Sequence, residues 1–226
     1  GEWDYLIVLD ACRFDVFEDM FGEFLSGTIE KRRSRGSSTL DWLVNSFPGE
    51  YDISYFSANP YINSKGVPLD ESKWGANCDY GWNPTDHFSE IVDVWEFGWE
   101  EELGTVHPKN LNEAFLSRGN GKRSVIHYMQ PHAPYLSNGE GRKLKRIKEG
   151  FEELGNNGDD GKSSGIGRWI RSNVVSRLEE LGIITKIGML LDLETGTILN
   201  EVRKNGTART LRKYYRDNLR VVLKYV

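Results

Sequence analysis

The chain opens on an unbroken apolar run, Tyr5-Leu6-Ile7-Val8-Leu9, that stops at Asp10. A short continuous run without alternation suits a central parallel strand covered on both faces, so residues 4–10 read as a buried strand with Asp10 at its C-terminal end. Residues 15–24 follow as a short helix, and the run from Glu30 to Gly36 as a charged loop. In GSSTLDWLVNSF, Leu40, Leu43, Val44 and Phe47 fall at helical spacing, with Ser38 or Thr39 as the N-cap. Residues 52–57 (DISYFS) form a second strand ended by Ser57-Ala58-Asn59-Pro60, and residues 124–128 (SVIHY) a third that empties into MQPHAPY. Between these two, residues 67–108 are rich in Gly, Trp and Asp with little periodicity and read as a long ordered loop region. A helix at 109–117 follows, ended by Gly119-Asn120-Gly121. Past residue 136 the chain turns basic and then Gly/Asn/Asp-rich, so about 136–206 reads as a loop or insertion. Amphipathic helices are expected at 168–181 and at 207–226, the latter carrying Leu211, Tyr214, Tyr215, Leu219, Val222 and Leu223. Strands alternating with helices over a chain of 226 residues predict one α/β domain with a mostly parallel central sheet.

Composition narrows the partners. A net charge of −5 gives no broad basic field, so nucleic acid is not expected. Two cysteines, Cys12 and Cys78, supply neither a disulfide framework nor a Cys-based zinc site, and Cys12 reads as a small core residue. No apolar run reaches the roughly 18 to 20 residues of a membrane span, so no transmembrane segment is expected. With no leader and no disulfide framework in view, a soluble and preferably cytoplasmic protein is the expectation. Seven Trp and ten Tyr suit packing, or an aromatic-lined cleft.

Candidate chemistry gathers at strand ends. Ligands of open α/β sheets bind outside the C-terminal ends of the strands, where Asp10, Asn59, His127 and His132 all fall. An aspartate there is a hard oxygen donor for a divalent cation, and a nearby hydroxyl on a helix N-terminus could be activated by the same ion. Ser37, Ser38 and Thr39 are the available hydroxyls, with an ordinary N-cap as the alternative. Asp10 could instead cap the following helix. Arg13 could pair with Asp10 or Asp15, or neutralise an anionic ester. His127 and His132 flank a Gln-Pro turn that takes the backbone out of the sheet, while His87 and His107 lie in loops and receive no role. The short Gly-rich strings at Gly119 and Gly165 lack the context of phosphate-binding loops.

Together these segments resemble the alkaline phosphatase and sulfatase superfamily, in its sulfatase-like branch. LIVLDACRFD resembles the first strand of that family, GSSTLDWL falls where the family places its nucleophile, and HYMQPHAPY resembles its His-rich strand end. The resemblance covers residues 4–135, and more weakly 209–226. It implies a layered α/β/α sandwich, Asp10 as a metal ligand, Ser38 as the preferred nucleophile, and Arg13, His132 and less directly His127 as contacts to the substrate anion. It also implies a divalent ion (Ca²⁺, Mg²⁺, Mn²⁺ or Zn²⁺). The substrate would be a small-molecule or glycan phosphate or sulfate ester, hydrolysed or transferred. No Cys-x-Pro-x-Arg occurs, which excludes a formylglycine nucleophile at this site, and neither Asp-His-Gly nor Asp-Asn-Gly occurs to complete the metal site. The expectation is therefore a fragment truncated before the C-terminal part of the sheet. The rival reading is a non-catalytic module that binds an anionic glycan or nucleotide.

Overall fold

A computed structural model describes residues 3–69, 80–119, 121–136 and 208–226. Four strands form one parallel sheet: β1 (Tyr5–Leu9), β2 (Tyr51–Ser57), β3 (Phe88–Asp93) and, after a small hairpin described below, β6 (Ser124–Tyr128), in the order β1-β6-β2-β3. The expected α/β class with a parallel sheet is present. The helix expected at 168–181, the 136–206 insertion beyond Leu136 and Cys78 lie outside the described residues.

Alternation along the strands divides two cores. Phe56, Ile126 and Tyr128 face a core built with α1 (Phe14–Phe24), α4 (Pro108–Arg118) and α5 (Ala208–Leu223), through Met20, Leu111, Ala114, Leu219, Val222 and Leu223. Ile53, Tyr55 and Val125 face the opposite side, where Leu40, Leu43 and Phe47 of and beside α2 (Thr39–Ser46) join Ile62, Leu69 and Trp82. Each fully buried side chain of this size contributes roughly 1.5–3 kcal/mol. Ion pairs Arg216–Asp19 (2.8 Å) and Arg220–Glu23 (3.6 Å) flank the α5–α1 contact at the surface.

Two expectations change. The region 67–108 is not a loop throughout: it holds β3, the short helix α3 (Val94–Phe97), and an antiparallel pair, β4 (Trp99–Glu100) with β5 (Thr105–Val106). Polar Ser89 and Glu90 mask β3 in the sequence, yet both are satisfied by β2, Ser89 Oγ donating to Ile53 O (3.0 Å) and Glu90 Oε2 accepting from Ser54 Oγ (2.6 Å). Likewise β1 is not central among the described residues. It occupies an edge, with Tyr5 56% and Ile7 39% exposed.

Candidate active site

The C-terminal ends of the four strands lie on one rim. Asp10 follows β1, and its N–H continues the ladder by donating to Tyr128 O at 3.1 Å. Next comes Ala11 in the left-handed region (φ 55°), an unfavourable conformation for a residue with a Cβ. This turn sends the chain away from the sheet and into α1, whose N-cap, Arg13, makes no side-chain cap bond. Asp10 is therefore not the cap of that helix.

The Asp10 carboxylate is 8% exposed and accepts two side-chain hydrogen bonds from distant segments. Thr39 Oγ1 donates to Oδ1 at 3.0 Å, and Asn59 Nδ2 donates to Oδ2 at 2.8 Å. The orientation of Asn59 follows from its turn: Ser57 Oγ donates to Asn59 O, and Tyr61 N donates to Asn59 Oδ1, which leaves the amide nitrogen to face Asp10. Hydrogen bonds to an ionised acceptor are each worth about 1.5–3 kcal/mol, enough to define the position of a buried carboxylate.

The three candidate hydroxyls separate by their place in the first turn of α2. Ser38 is the N-cap, and its Oγ accepts from Asp41 N at 3.2 Å. An N-cap side chain folds back over its own helix to reach the third amide, so this hydroxyl is turned inward. Ser37 Oγ donates to Asp41 Oδ2 at 3.0 Å. Thr39, the first helical residue, is the one that projects to Asp10. The structure thus brings Thr39, rather than the preferred Ser38, onto the carboxylate. Tyr80 also donates to Asp41, which holds that carboxyl below the usual aspartate range. Gly36 lets the preceding loop lie directly on this turn, since a Cβ there would sit 2.2 Å from Trp42 N and 2.6 Å from Asp41 C.

His127, the fourth residue of β6, is 1% exposed and lies between Tyr55 and Trp42, with ring centroids 5.9 and 6.1 Å away. Its Nδ1 shares a hydrogen bond of 2.8 Å with Tyr55 Oη. Its Nε2 lies 4.0 Å from Asp10 Oδ2, and among the described residues it has no hydrogen-bond partner. Burial pushes the imidazole below its ordinary value, against the opposing pull of Asp10, so at neutral pH the ring is uncharged and the contact is not an ion pair. A buried polar nitrogen left unbonded costs about 1–3 kcal/mol unless something occupies it.

His132 reaches the rim through its backbone, donating its N–H to Asp10 O at 3.1 Å. Its Nδ1 lies 2.6 Å from Ala133 O, and because a carbonyl can only accept, Nδ1 carries the proton. In the neutral ring Nε2 then holds the lone pair. Arg13 is forked onto Asp15, with Nε to Oδ1 at 3.0 Å and Nη2 to Oδ2 at 2.8 Å. Cys12 is no rival nucleophile, because burial pushes its thiol up to about 12.

The donors near Asp10 fit part of a divalent metal site. A carboxylate oxygen, the Thr39 hydroxyl and the unpartnered His127 Nε2 could hold such an ion, and the imidazole favours Zn²⁺ over Ca²⁺ or Mg²⁺. Among the described residues, no group of three or more His, Cys, Asp or Glu is placed to bind a metal. Comparison with protein-family models, curated proteins and solved structures finds no match. Among the described residues no helix is long and apolar enough to cross a membrane.

Thr39, Asn59 and Tyr55 are the side chains bonded to Asp10 or His127 that did not lead the reading of the sequence. Asn59 stood at a strand end and Thr39 among three hydroxyls, so both had a signal. Tyr55 had none, because its contact with His127 depends on β2 lying beside β6 in the register Tyr55↔Val125.

Proposed function

We propose that this chain carries the nucleophile side of a metal-dependent hydrolase, or transferase, of phosphate or sulfate esters, with Thr39 as the nucleophile. The observation that carries the reading is the 3.0 Å hydrogen bond from Thr39 Oγ1, at a helix N-terminus, to the buried Asp10 on the C-terminal rim of a parallel sheet. The two-sided core is compatible with a layered α/β/α sandwich of the alkaline phosphatase kind.

Thr39 Oγ1 would attack phosphorus or sulfur in line with the leaving alcohol. One bond forms to Oγ1, the bond to the alcohol oxygen breaks, and water or an acceptor alcohol later displaces the Thr39 ester. Asp10 orients the hydroxyl and accepts its proton, which then passes to the departing alcohol oxygen, and Asn59 holds Asp10. His132 would contact the ester's anionic oxygens in its imidazolium form, with Nε2–H as the donor, and Arg13 is the second candidate for that contact once it is released from Asp15. A bound divalent ion would supply Lewis-acid stabilisation of those oxygens and lower the pKa of the hydroxyl. The substrate class is a small-molecule or glycan ester.

One observation favours the second reading, an anion-binding module without turnover. Both Asp10 oxygens already accept bonds from the protein, as in a purely structural knot. Assays of aryl phosphate and aryl sulfate with Mg²⁺, Mn²⁺, Ca²⁺ and Zn²⁺ in turn separate the two. Thr39→Ala should lower kcat/KM by about 10³-fold or more, whereas Ser38→Ala should lower stability by about 1 kcal/mol and leave turnover. Undiminished turnover in Thr39→Ala removes Thr39 from the mechanism, and loss confined to Ser38→Ala restores Ser38.

A further inference from the structure

We propose that α5 is a positioning clamp for this rim, with Tyr215 and Asn218 holding the turn after β1 and the turn after β6 in one relative arrangement. The proposal rests on the ester-hydrolase reading, because its consequence is the placement of the groups assigned to the substrate anion.

Tyr215 is 2% exposed. Its Oη donates to Ala11 O at 2.8 Å and accepts from Arg13 N at 2.7 Å, so one phenol bridges the left-handed turn that follows Asp10. Three residues on, and therefore on the same helix face, Asn218 is 1% exposed and uses its whole carboxamide. Its Nδ2 donates to Pro131 O (3.2 Å) and His132 O (3.0 Å), and its Oδ1 accepts from Leu136 N (3.1 Å). A bond from His132 N to Asp10 O at 3.1 Å also ties the two turns.

Packing places the Tyr215 ring with Ala133, Tyr135 and Leu211 but does not call for its hydroxyl or for the Asn218 carboxamide. Leu219, Val222 and Leu223 already bury α5 against the sheet, and a buried phenol or carboxamide is costly unless it is fully bonded. Here both are bonded, to backbone groups of the turns that carry Asp10, Arg13 and His132 and, for Tyr215, also to the Cys12 thiol in the same turn. Burial raises the Tyr215 hydroxyl well above its usual range, so it stays protonated and can donate and accept together. Two turns fixed by separate loops would drift independently, whereas two turns fixed by one rigid helix face keep their spacing. A misplacement of about 1 Å at a reacting centre costs on the order of 10²-fold, so the clamp acts on anion binding and turnover more than on folding.

The test uses the full chain and follows the His132 imidazole by NMR, assigned with His132→Gln, while inorganic phosphate or inorganic sulfate is titrated in. Tyr215→Phe removes one hydroxyl and keeps the ring. Asn218→Leu removes the carboxamide at similar volume, and Tyr214→Phe is the control, since it removes a hydroxyl from the same helix while keeping the ring that stacks on Tyr135. Expected are an anion Kd raised by about 10-fold or more in Tyr215→Phe and in Asn218→Leu, no change in Tyr214→Phe, and faster amide exchange at His132 in Tyr215→Phe although Tyr215 does not bond His132. If Asn218→Leu does not fold, Tyr215→Phe decides by itself. Anion binding in the unmutated protein that Tyr215→Phe leaves unaltered, with His132 exchange unchanged, overturns the clamp alone. An unmutated protein whose His132 responds to neither anion overturns the ester-hydrolase reading and the clamp's role with it.

Discussion

Replacing His127 by Gln should flatten the acid side of the stability profile. In the folded protein burial holds this ring below its ordinary value of 6.5, whereas in the unfolded chain it titrates normally. Between those two values the unfolded state binds more protons, so stability is full above about 6.5 and is lost as pH falls through that value toward the folded one. For a ring that stays neutral when folded, linkage from pH 7 to 5.5 removes up to about 1.3 kcal/mol. At about 2–4 °C per kcal/mol for a chain of this size, that is a fall in Tm of up to roughly 5 °C. Thermal unfolding followed by circular dichroism at intervals from pH 7.5 to 5 should show this extra fall in the unmutated protein and its loss in His127→Gln. The comparison is between slopes, so a constant offset from lost packing against Tyr55 and Trp42 does not enter it. Parallel Tm profiles would refute the buried neutral histidine.

Two further outcomes test the frame around the site. Gly36→Ala should destabilise by about 1–3 kcal/mol and shift the amide resonances of Asp41 and Trp42, since the new methyl would lie 2.2 Å from Trp42 N; an unchanged Tm and spectrum would contradict the close approach. Leu219→Ala, at a fully buried position on α5, should cost about 2–5 kcal/mol in denaturant unfolding. A cost below 1 kcal/mol would mean that α5 is not packed on the sheet as described.

The strands were legible where residue type and neighbourhood agreed. SVIHY and DISYFS are β-rich runs closed by turn residues, and they stand within a residue of their expected bounds. FSEIVD was not legible, because Ser89 and Glu90 break its apolar run and their partners lie on β2, 36 residues away. The YLIVL run announced a strand correctly but not its neighbours. Apolar residues say that a strand is buried, and nothing in their order says which strand pairs beside it. At the site, a sequence window could propose three hydroxyls but could not choose among them. The choice follows from helix geometry, in which the N-cap turns inward onto Asp41 and the next residue turns outward onto Asp10. Tyr215 stood among the apolar positions of an amphipathic helix, and Asn218 was not singled out. Their bonds to Ala11 and His132 span 204 and 86 residues and had no local trace.

The most direct test of the central claim is the site of the covalent intermediate. A reaction with an aryl phosphate or sulfate, quenched in acid and digested with trypsin, should place a phosphoryl or sulfuryl group on the peptide spanning residues 36–65, and fragmentation should assign it to Thr39. An adduct on Ser37 or Ser38, or turnover that persists in Thr39→Ala, would contradict the account.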